Sequence, residues 1–337
     1  MYTRPLLNLF SFPAFTLASL AFLLFSTSCQ HVDDILDELR DRDIVADLPE
    51  RIDVMQPGLF PEGVAFDRKK EKFLVTSVGQ GTIGLVDDEG TYEPFIEDER
   101  FRSTIGIELD EARKQILVPV TQSDGSYGAL GIYDQYSGDP VHYVELTDLT
   151  PEHPVFANDV AVDKNGNAYV TNSYNGVIYK VDRNGEASLF FVSEDFVPPS
   201  GAFGFNGIVY HPKGFLIVAY SAENALYKFP IDNPENYSKI TLDTELQNPD
   251  GLFLSRNNQQ LVVVNNAGGS EAGKVLVMES GDAWDSAYEE SRFETGPVFP
   301  TTATQRSNEY YVLYAHLNEQ GSNPEYADYA IVKVSDD

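Results

Sequence analysis

Six short motifs recur along the chain, and five of them begin with a side chain that can bind a cation or hold a polar ligand. They are Glu62-Gly63-Val64, Ile105-Gly106-Ile107, Asn158-Asp159-Val160, Asn206-Gly207-Ile208, Asp250-Gly251-Leu252 and Thr301-Thr302-Ala303. Carboxylate and amide oxygens without thiols are the ligands that a hard divalent cation such as Ca²⁺ prefers. The motifs therefore predict a cation site, provided that the fold brings their side chains together.

The motifs also mark a structural repeat, because successive motifs start 43 to 53 residues apart and each opens the same series of segments. In the third repeat, a short strand is followed by the polar turn 163–167, an apolar strand at 168–170 and another strand at 176–181. Short segments rich in β-branched and aromatic residues, bounded by turns, are typical of strands. Four strands per repeat at this period predict an all-β fold, a six-bladed β-propeller.

The two ends of the repeat region predict how the ring of blades closes. The sixth repeat stops at its third strand, residues 329–334, and residues 52–55 before the first repeat have no partner of their own. We expect residues 52–55 to supply the missing outer strand, because this would cover an open sheet edge. One propeller domain is thus predicted for residues 51–337.

Propeller geometry predicts where a site would lie. The first strand of each blade lines the central channel and the second runs antiparallel to it, so first-strand starts and second-strand ends share one face. Glu62, Asn158 and Asn206 are the predicted metal ligands on this face, and His316 is a candidate catalytic base. The other predicted channel or substrate residues are Asn172, Ser221, Asp250, Asn266 and Thr301. The alternative is that these side chains only bond to neighbouring backbone groups.

With their flanking residues, several motifs resemble the gluconolactonase and regucalcin family of six-bladed propellers, to which paraoxonases and strictosidine synthase-like proteins are more distantly similar. The residues that carry the resemblance are Pro61-Glu62-Gly63-Val64, Ala157-Asn158-Asp159-Val160, Phe205-Asn206-Gly207-Ile208, Pro249-Asp250-Gly251-Leu252 and Pro300-Thr301-Thr302-Ala303. The resemblance covers residues 50–335. It implies a divalent metal in the channel, usually Ca²⁺ or Zn²⁺, with ligands at Glu62 and Asn158, and hydrolysis of sugar lactones or other esters.

The chain departs from the family pattern at Ser221. The resemblance implies an Asp at this position, as third metal ligand and general base, and a serine supplies no charge. We therefore expect a weaker Ca²⁺ site than in the family, and we expect Ser221→Asp to strengthen it. Two functions stay open: a metal-dependent hydrolase of a lactone or ester, and a non-catalytic propeller that binds a ligand or a protein.

The first 50 residues have the pattern of an export signal followed by a tether. Arg4 is the only charged residue among the first 32, residues 6–25 are almost continuously apolar, and small residues lead to the lone Cys29. This order predicts a bacterial lipoprotein signal over residues 1–28, with Cys29 lipidated, followed by an acidic tether over residues 29–50. The predicted location is the cell envelope, periplasmic or outer-membrane. The alternative is an uncleaved membrane anchor, since the apolar run is long enough to span a bilayer.

Charge and cysteine content exclude several classes of function. The chain has 23 Lys and Arg against 53 Asp and Glu, a formal net charge of −30. Such a surface repels phosphate, so nucleic acid and anionic membrane surfaces are poor partners. A single cysteine allows neither an internal disulfide nor a Cys-rich zinc site. The expected partner is a small-molecule substrate or ligand, with the lipid anchor as the only membrane contact, and we expect a monomer.

Overall fold

The computed structural model describes residues 48–269 and 273–335. The predicted signal over residues 1–28, Cys29 and the predicted tether up to residue 47 lie outside the described residues. In the described part of the chain, no helix is long and apolar enough to cross a membrane. The described residues form six sheets, antiparallel apart from one short strand, which make an all-β six-bladed propeller. The fold class predicted from the repeat is thus confirmed.

Each sheet is one blade, and blades and strands are numbered in chain order. Blade one contains β2 (Val64–Asp67), β3 (Lys72–Thr76), β4 (Ile83–Val86) and β5 (Tyr92–Ile96). Blade two contains β6 (Ser103–Thr104), β7 (Glu108–Asp110), β8 (Gln115–Thr121), β9 (Gly128–Asp134) and β10 (Pro140–Glu145). Blade three contains β11 (Ala157–Val162), β12 (Ala168–Asn172), β13 (Val177–Val181) and β14 (Ala187–Val192).

The second half of the ring repeats this plan. Blade four contains β15 (Phe205–His211), β16 (Phe215–Tyr220), β17 (Ala225–Pro230) and β18 (Ser238–Lys239). Blade five contains β19 (Thr241–Leu242), β20 (Pro249–Leu254), β21 (Gln260–Asn265), β22 (Gly273–Glu279) and β23 (Ser286–Gly296). Blade six contains β24 (Pro300–Arg306), β25 (Glu309–Tyr314), β26 (Asp328–Lys333) and β1 (Arg51–Met55).

The ring closes as the sequence predicted. Strand β1 pairs antiparallel with β26, with Ile52 opposite Ile331 and Val54 opposite Tyr329. Ile52 and Val54 are buried, whereas Arg51, Asp53 and Met55 on the same strand are exposed. This alternation fixes the register, because a slip of one residue would place the apolar side chains in water.

Apolar side chains hold neighbouring blades together at every step around the ring. The described residues form six buried apolar clusters, and each cluster draws its members from two adjacent blades. Between blades six and one, for example, the Phe73 ring lies 4.9 Å from Phe66 and 5.3 Å from Tyr311, centroid to centroid. Because every interface is packed, the first strands are fixed relative to one another around the channel.

Two blades differ from the predicted four-strand plan. The inner strand of blade two is split into β6 and β7, and a short strand, β19, adds to blade five parallel to β23. The split falls at Gly106, whose backbone N–H donates to the carbonyl oxygen of Asn158 (2.8 Å). A Cβ at residue 106 would come 2.3 Å from Oδ1 of Asp159. The close approach of blade three therefore requires glycine here and takes the backbone out of the ladder.

A β-bulge interrupts the inner strands of four blades at the recurring motif. The register shifts lie at 157–160 in β11, 205–208 in β15, 249–252 in β20 and 300–303 in β24. A bulge leaves an extra residue unpaired and re-aims its side chain. In blades three, four and five the repeat thus brings Asn158, Asn206 and Asp250 to one cavity, which positions the site.

Candidate functional site

A cavity of about 290 Å³ opens where the inner strands begin. Its floor carries Glu62, Asn158, Asn206, Asp250 and Asn266, all of which the sequence singled out. Its remaining lining comes from loops on the same face: Val78, Ile105, Ser123, Phe156, Tyr174, Phe203, Asn248, Phe299, Leu317 and Gln320. The three predicted metal ligands are therefore brought to one cavity.

Glu62 is buried, with 7% of its surface exposed, and its Oε2 atom has no hydrogen-bond partner. Burial, together with the nearby carboxylates of Asp250 and Asp159, raises the pKa of Glu62 well above its usual range. A buried carboxylate without a counter-charge is costly. Glu62 must therefore either hold a proton or meet a cation.

Two amides on the cavity floor are oriented by serines from the neighbouring strands. Asn158 Nδ2 donates to Ser173 Oγ (2.8 Å), and Asn206 Nδ2 donates to Ser221 Oγ (3.2 Å). With its NH₂ group engaged, Asn158 keeps a buried Oδ1 atom that has no partner. Of four such orphaned side-chain oxygens among the described residues, Glu62 Oε2 and Asn158 Oδ1 line this one cavity. Buried acceptors without a donor are uncommon in proteins, and two of them at one place suit a bound cation.

Asp250 supplies a second carboxylate. Its Oδ2 accepts a hydrogen bond from Asn266 Nδ2 (2.6 Å), and Asn266 Oδ1 in turn accepts from Asn248. Burial raises the pKa of Asp250 to about 7, although bonds from Asn266 and Asn206 oppose the rise. Asp250 lies close enough to Glu62 to raise its pKa. The channel therefore does hold the further acid that the resemblance implied at residue 221, and it comes from the next blade.

Ser221 and Thr301 were predicted as channel residues, but neither lines the cavity. Ser221 Oγ donates to the Pro249 carbonyl (2.6 Å), which ties blade four to blade five. Thr301 Oγ1 donates to the Glu62 carbonyl (2.7 Å), which ties blade six to blade one. For these two residues the alternative stated above, bonding to neighbouring backbone, describes the geometry.

Asn172 and His316 also lie outside the cavity lining. Asn172 Oδ1 accepts the backbone N–H groups of Phe156 and Tyr174, both at 3.0 Å, so its side chain turns into the blade. His316 follows β25 with φ at 50°, and its ring packs on Tyr326 at 5.0 Å between centroids. Burial lowers the pKa of His316. The structure therefore does not bring the predicted base to the channel mouth.

Sequence reasoning missed two acids deeper in the channel, Glu108 and Asp159. Both residues lie on inner strands and are half-buried. Burial raises the pKa of Glu108 to about 8. Burial also raises the pKa of Asp159 to about 7, although hydrogen bonds from the backbone amides of Ile208 and Val160 oppose this rise. Asp159 is the second residue of its motif, so the bulge in β11 is the signal that could have placed it.

Whether a divalent metal fits this cavity depends on the side-chain atoms that could act as its ligands. Among the described residues, no three or more His, Cys, Asp or Glu side chains form a group that could hold a metal. A site here must therefore combine carboxylates with amide oxygens. The orphaned Glu62 Oε2 and Asn158 Oδ1 are such donors, and hard cations accept neutral oxygen ligands beside one or two carboxylates. The residues present thus fit Ca²⁺ by donor chemistry.

No protein-family model and no curated protein sequence matches the chain. Solved structures do match its fold. The major allergen Mala s 1 of Malassezia sympodialis superposes with a TM-score of 0.69 at 19% identity, over 86% of this chain and 96% of that one. A gluconolactonase from Xanthomonas campestris gives a TM-score of 0.57 at 13% identity, over 83% and 87%. Virginiamycin B lyase from Staphylococcus aureus gives 0.54 at 11% identity, over 85% and 98%.

The chain has the fold of the gluconolactonase-like propellers. At these identities the likeness shows the fold alone, and proteins of different function share it. What this chain does must therefore be argued from its own cavity.

Proposed function

We propose that the channel mouth binds one divalent cation and hydrolyses a lactone or ester of small size. Glu62, Asn158 and Asn206 would hold the cation, with Ca²⁺ as the first candidate and Zn²⁺ as the second. The observation that carries the proposal is the pair of orphaned buried oxygens on Glu62 and Asn158. A bound cation would supply both with a partner and would neutralise the charge of Glu62.

In this proposal Asp250 acts as the general base. A cation bound in this site would polarise the substrate carbonyl. Asp250 accepts a proton from water, the water oxygen forms a bond to the carbonyl carbon, and the ester C–O bond breaks. The proton then passes to the leaving alkoxide oxygen, so the products are an acid and an alcohol. Asn266 orients the Asp250 carboxylate for this exchange.

The second candidate is a non-catalytic propeller that binds a small molecule or protein at the same mouth. The observation that favours it is Ser221, where the resemblance implied an acid and where the hydroxyl is committed to the Pro249 carbonyl. In that case the ligand binds and leaves unchanged.

Calorimetric Ca²⁺ titration and a panel of lactones and aryl esters, with and without chelator, separate the two. For the hydrolase, we expect wild-type protein to bind Ca²⁺ and to lose turnover with chelator. Asp250→Asn should keep a folded protein and lose turnover. The control is Glu93→Gln, an exposed glutamate on blade one. Ca²⁺ binding without turnover of any substrate would favour the binding propeller, and absence of Ca²⁺ and Zn²⁺ binding would contradict the proposed site.

We also propose that the protein is exported to a bacterial cell envelope, anchored through a lipidated Cys29, and works as a monomer on a small-molecule substrate. Support comes from the apolar run over residues 6–25, which small residues connect to the only cysteine. Mass spectrometry of membrane-extracted protein would show a mature chain that begins with a diacylated Cys29. An intact Met1 would contradict this.

A further inference from the structure

Three aromatic side chains pack together on one wall of the cavity. The Phe156 ring lies 4.9 Å from Tyr174 and 5.4 Å from Phe203, and Tyr174 lies 5.8 Å from Phe203, all between centroids. The three rings, called the aromatic wall below, come from three different loops that flank β11, β12 and β15. Phe203 has 43% of its surface exposed. An apolar ring kept in water at the mouth of a cavity is a feature that a ligand can use.

Hydrogen bonds hold the aromatic wall in place. Asn172 Oδ1 accepts the backbone N–H groups of both Phe156 and Tyr174. The Tyr174 hydroxyl donates to the Ser123 carbonyl on blade two (2.8 Å). On the other side, the Gly204 N–H donates to the Ser173 carbonyl (2.7 Å), which fixes the loop that carries Phe203. The wall is therefore built before a ligand arrives.

The rest of the cavity lining combines apolar residues with the polar groups of the floor. Four further apolar residues line it: Val78, Ile105, Phe299 and Leu317. Carboxylate and amide groups occupy the floor, and none of the described lining residues is Lys or Arg. Phe203 and Asn248 also line an adjoining groove of about 510 Å³. A molecule that reaches the floor with a polar end can thus extend along the wall and past Phe203.

We propose that the aromatic wall is the binding subsite for an alkyl or aryl group, so that the substrate is an apolar lactone or ester and not a hydroxyl-rich sugar lactone. This inference rests on the proposed function for the reacting end of the molecule. Hydroxyl groups placed against the wall would lose their bonds to water without replacement. Each methylene placed there raises affinity about fourfold.

The experiment compares γ-lactones that carry alkyl chains of increasing length with gluconolactone, using kcat/KM as the readout. A parallel calorimetric series uses the matching γ-lactams, which bind without being hydrolysed. Wild type, Phe203→Ala, Phe203→Leu and Tyr288→Ala are compared. Tyr288 is the control because it is a similarly exposed ring, 47%, on β23 of blade five, away from the cavity lining.

We expect affinity and kcat/KM to rise with chain length in wild type and Tyr288→Ala. The rise should be largely lost in Phe203→Ala and partly kept in Phe203→Leu. A flat series in wild type, a preference for gluconolactone, or an unchanged slope in Phe203→Ala would overturn the inference. Lactam binding that depends on Phe203, without hydrolysis of any lactone, would support the wall and contradict the hydrolase. Hydrolysis with a kcat/KM that does not change with chain length would support the hydrolase and contradict the role of the wall.

Discussion

Glu62 combines features that rarely occur together: a buried carboxylate, an orphaned oxygen and two acidic neighbours. In the metal-free protein this charge opposes folding at neutral pH, because desolvation and repulsion both act on the ionised form. The same charge is what attracts a cation. One substitution can separate these two effects.

Glu62→Gln keeps the shape of the side chain and removes the charge. We expect it to lose Ca²⁺ binding, and in chelator at pH 8 to melt at the wild-type temperature or higher, since a buried charge is gone. Calorimetric titration and thermal melting measure both effects. Glu93→Gln, which is exposed, should change neither. Retained Ca²⁺ affinity in Glu62→Gln would show that the floor residues are only structural.

Ser221→Asp is now expected to behave differently from the sequence-based expectation. The serine hydroxyl donates to the Pro249 carbonyl and accepts from Asn206. An ionised Asp can only accept, so it would face that carbonyl and add a charge beside Asp250. We expect a loss of about 1–3 kcal/mol in the free energy of unfolding in chelator, and no gain in Ca²⁺ affinity.

Ser221→Ala is the comparison for this change, because it removes both hydrogen bonds without adding charge. It should be less destabilising than the Asp variant in denaturant unfolding. Tighter Ca²⁺ binding by Ser221→Asp with unchanged stability would restore the sequence-based expectation and contradict the role given to this hydroxyl.

At the scale of elements, the strand that closes the ring makes the clearest prediction. Ile52 on β1 is 1% exposed and packs in the cluster shared by blades six and one. Ile52→Ala should cost about 2–5 kcal/mol in the free energy of unfolding, because it leaves a cavity in a packed interface. Met55 on the same strand is 67% exposed. Met55→Ala should stay within about 0.5 kcal/mol of wild type, and equal losses in urea unfolding would contradict the closure role of β1.

Three site strands begin after a residue in left-handed backbone conformation. Phe60, Asn248 and Phe299 have φ of 45°, 50° and 48°, and each precedes a proline. For non-glycine residues this conformation is uncommon, especially for an aromatic ring. The repeated Phe-Pro or Asn-Pro pair thus turns the chain sharply just before Glu62, Asp250 and Thr301.

The blades and their closure could be predicted because strand patterns and turns are local and recur six times. The direction in which a side chain points at the end of a strand could not be predicted in this way. Counting residues along the second strand of blade three predicted that Asn172 faces the channel. In the structure it is the next residue, Ser173, that contacts Asn158. A shift of one residue moves a side chain to the opposite face. His316 stays outside the cavity lining for a related reason, since its left-handed backbone turns the ring toward Tyr326.

The cavity floor was found from sequence because it belongs to the repeat, whereas the aromatic wall was not. Phe156, Tyr174 and Phe203 stand in loops of different length, and no period links them. They meet only because blades three and four pack side by side. Contacts between loops depend on the assembled ring, which a single pattern along the chain does not describe.

At the scale of the whole molecule, four channel carboxyls set the pH dependence. The pKa values of Glu62, Glu108, Asp159 and Asp250 are all raised in the folded protein. The lowered pKa values of His211 and His316 act in the opposite direction. Between about pH 4 and pH 8 the four carboxyls bind more protons in the native state than in the unfolded state. Their contribution to stability is full at low pH and is lost as the pH rises through this window. Asp98, whose pKa is lowered to about 2, changes its protonation state below this pH window.

We accordingly expect the metal-free protein to melt at a lower temperature at pH 8 than at pH 5.5. Ca²⁺ should reverse this, because it binds the ionised carboxylates, and at about 100 times its Kd it should add about 2.7 kcal/mol at pH 8. Thermal melting in chelator and in Ca²⁺ across this range measures the effect, and Glu62→Gln/Asp250→Asn should flatten it. A melting temperature that rises with pH in chelator would contradict the argument.

The pairing of β1 with β26 also governs how the polypeptide reaches its native state. Ile52 and Ile331 are partners at opposite ends of the ring, so their contact order is close to the maximum that the propeller allows. Blade six forms only after both ends of the ring have been made, because its outer strand comes first in the ring and its other strands come last. Assembly therefore includes a slow entropic search that joins the two ends of the ring. Until then β26 is an open edge available to other chains.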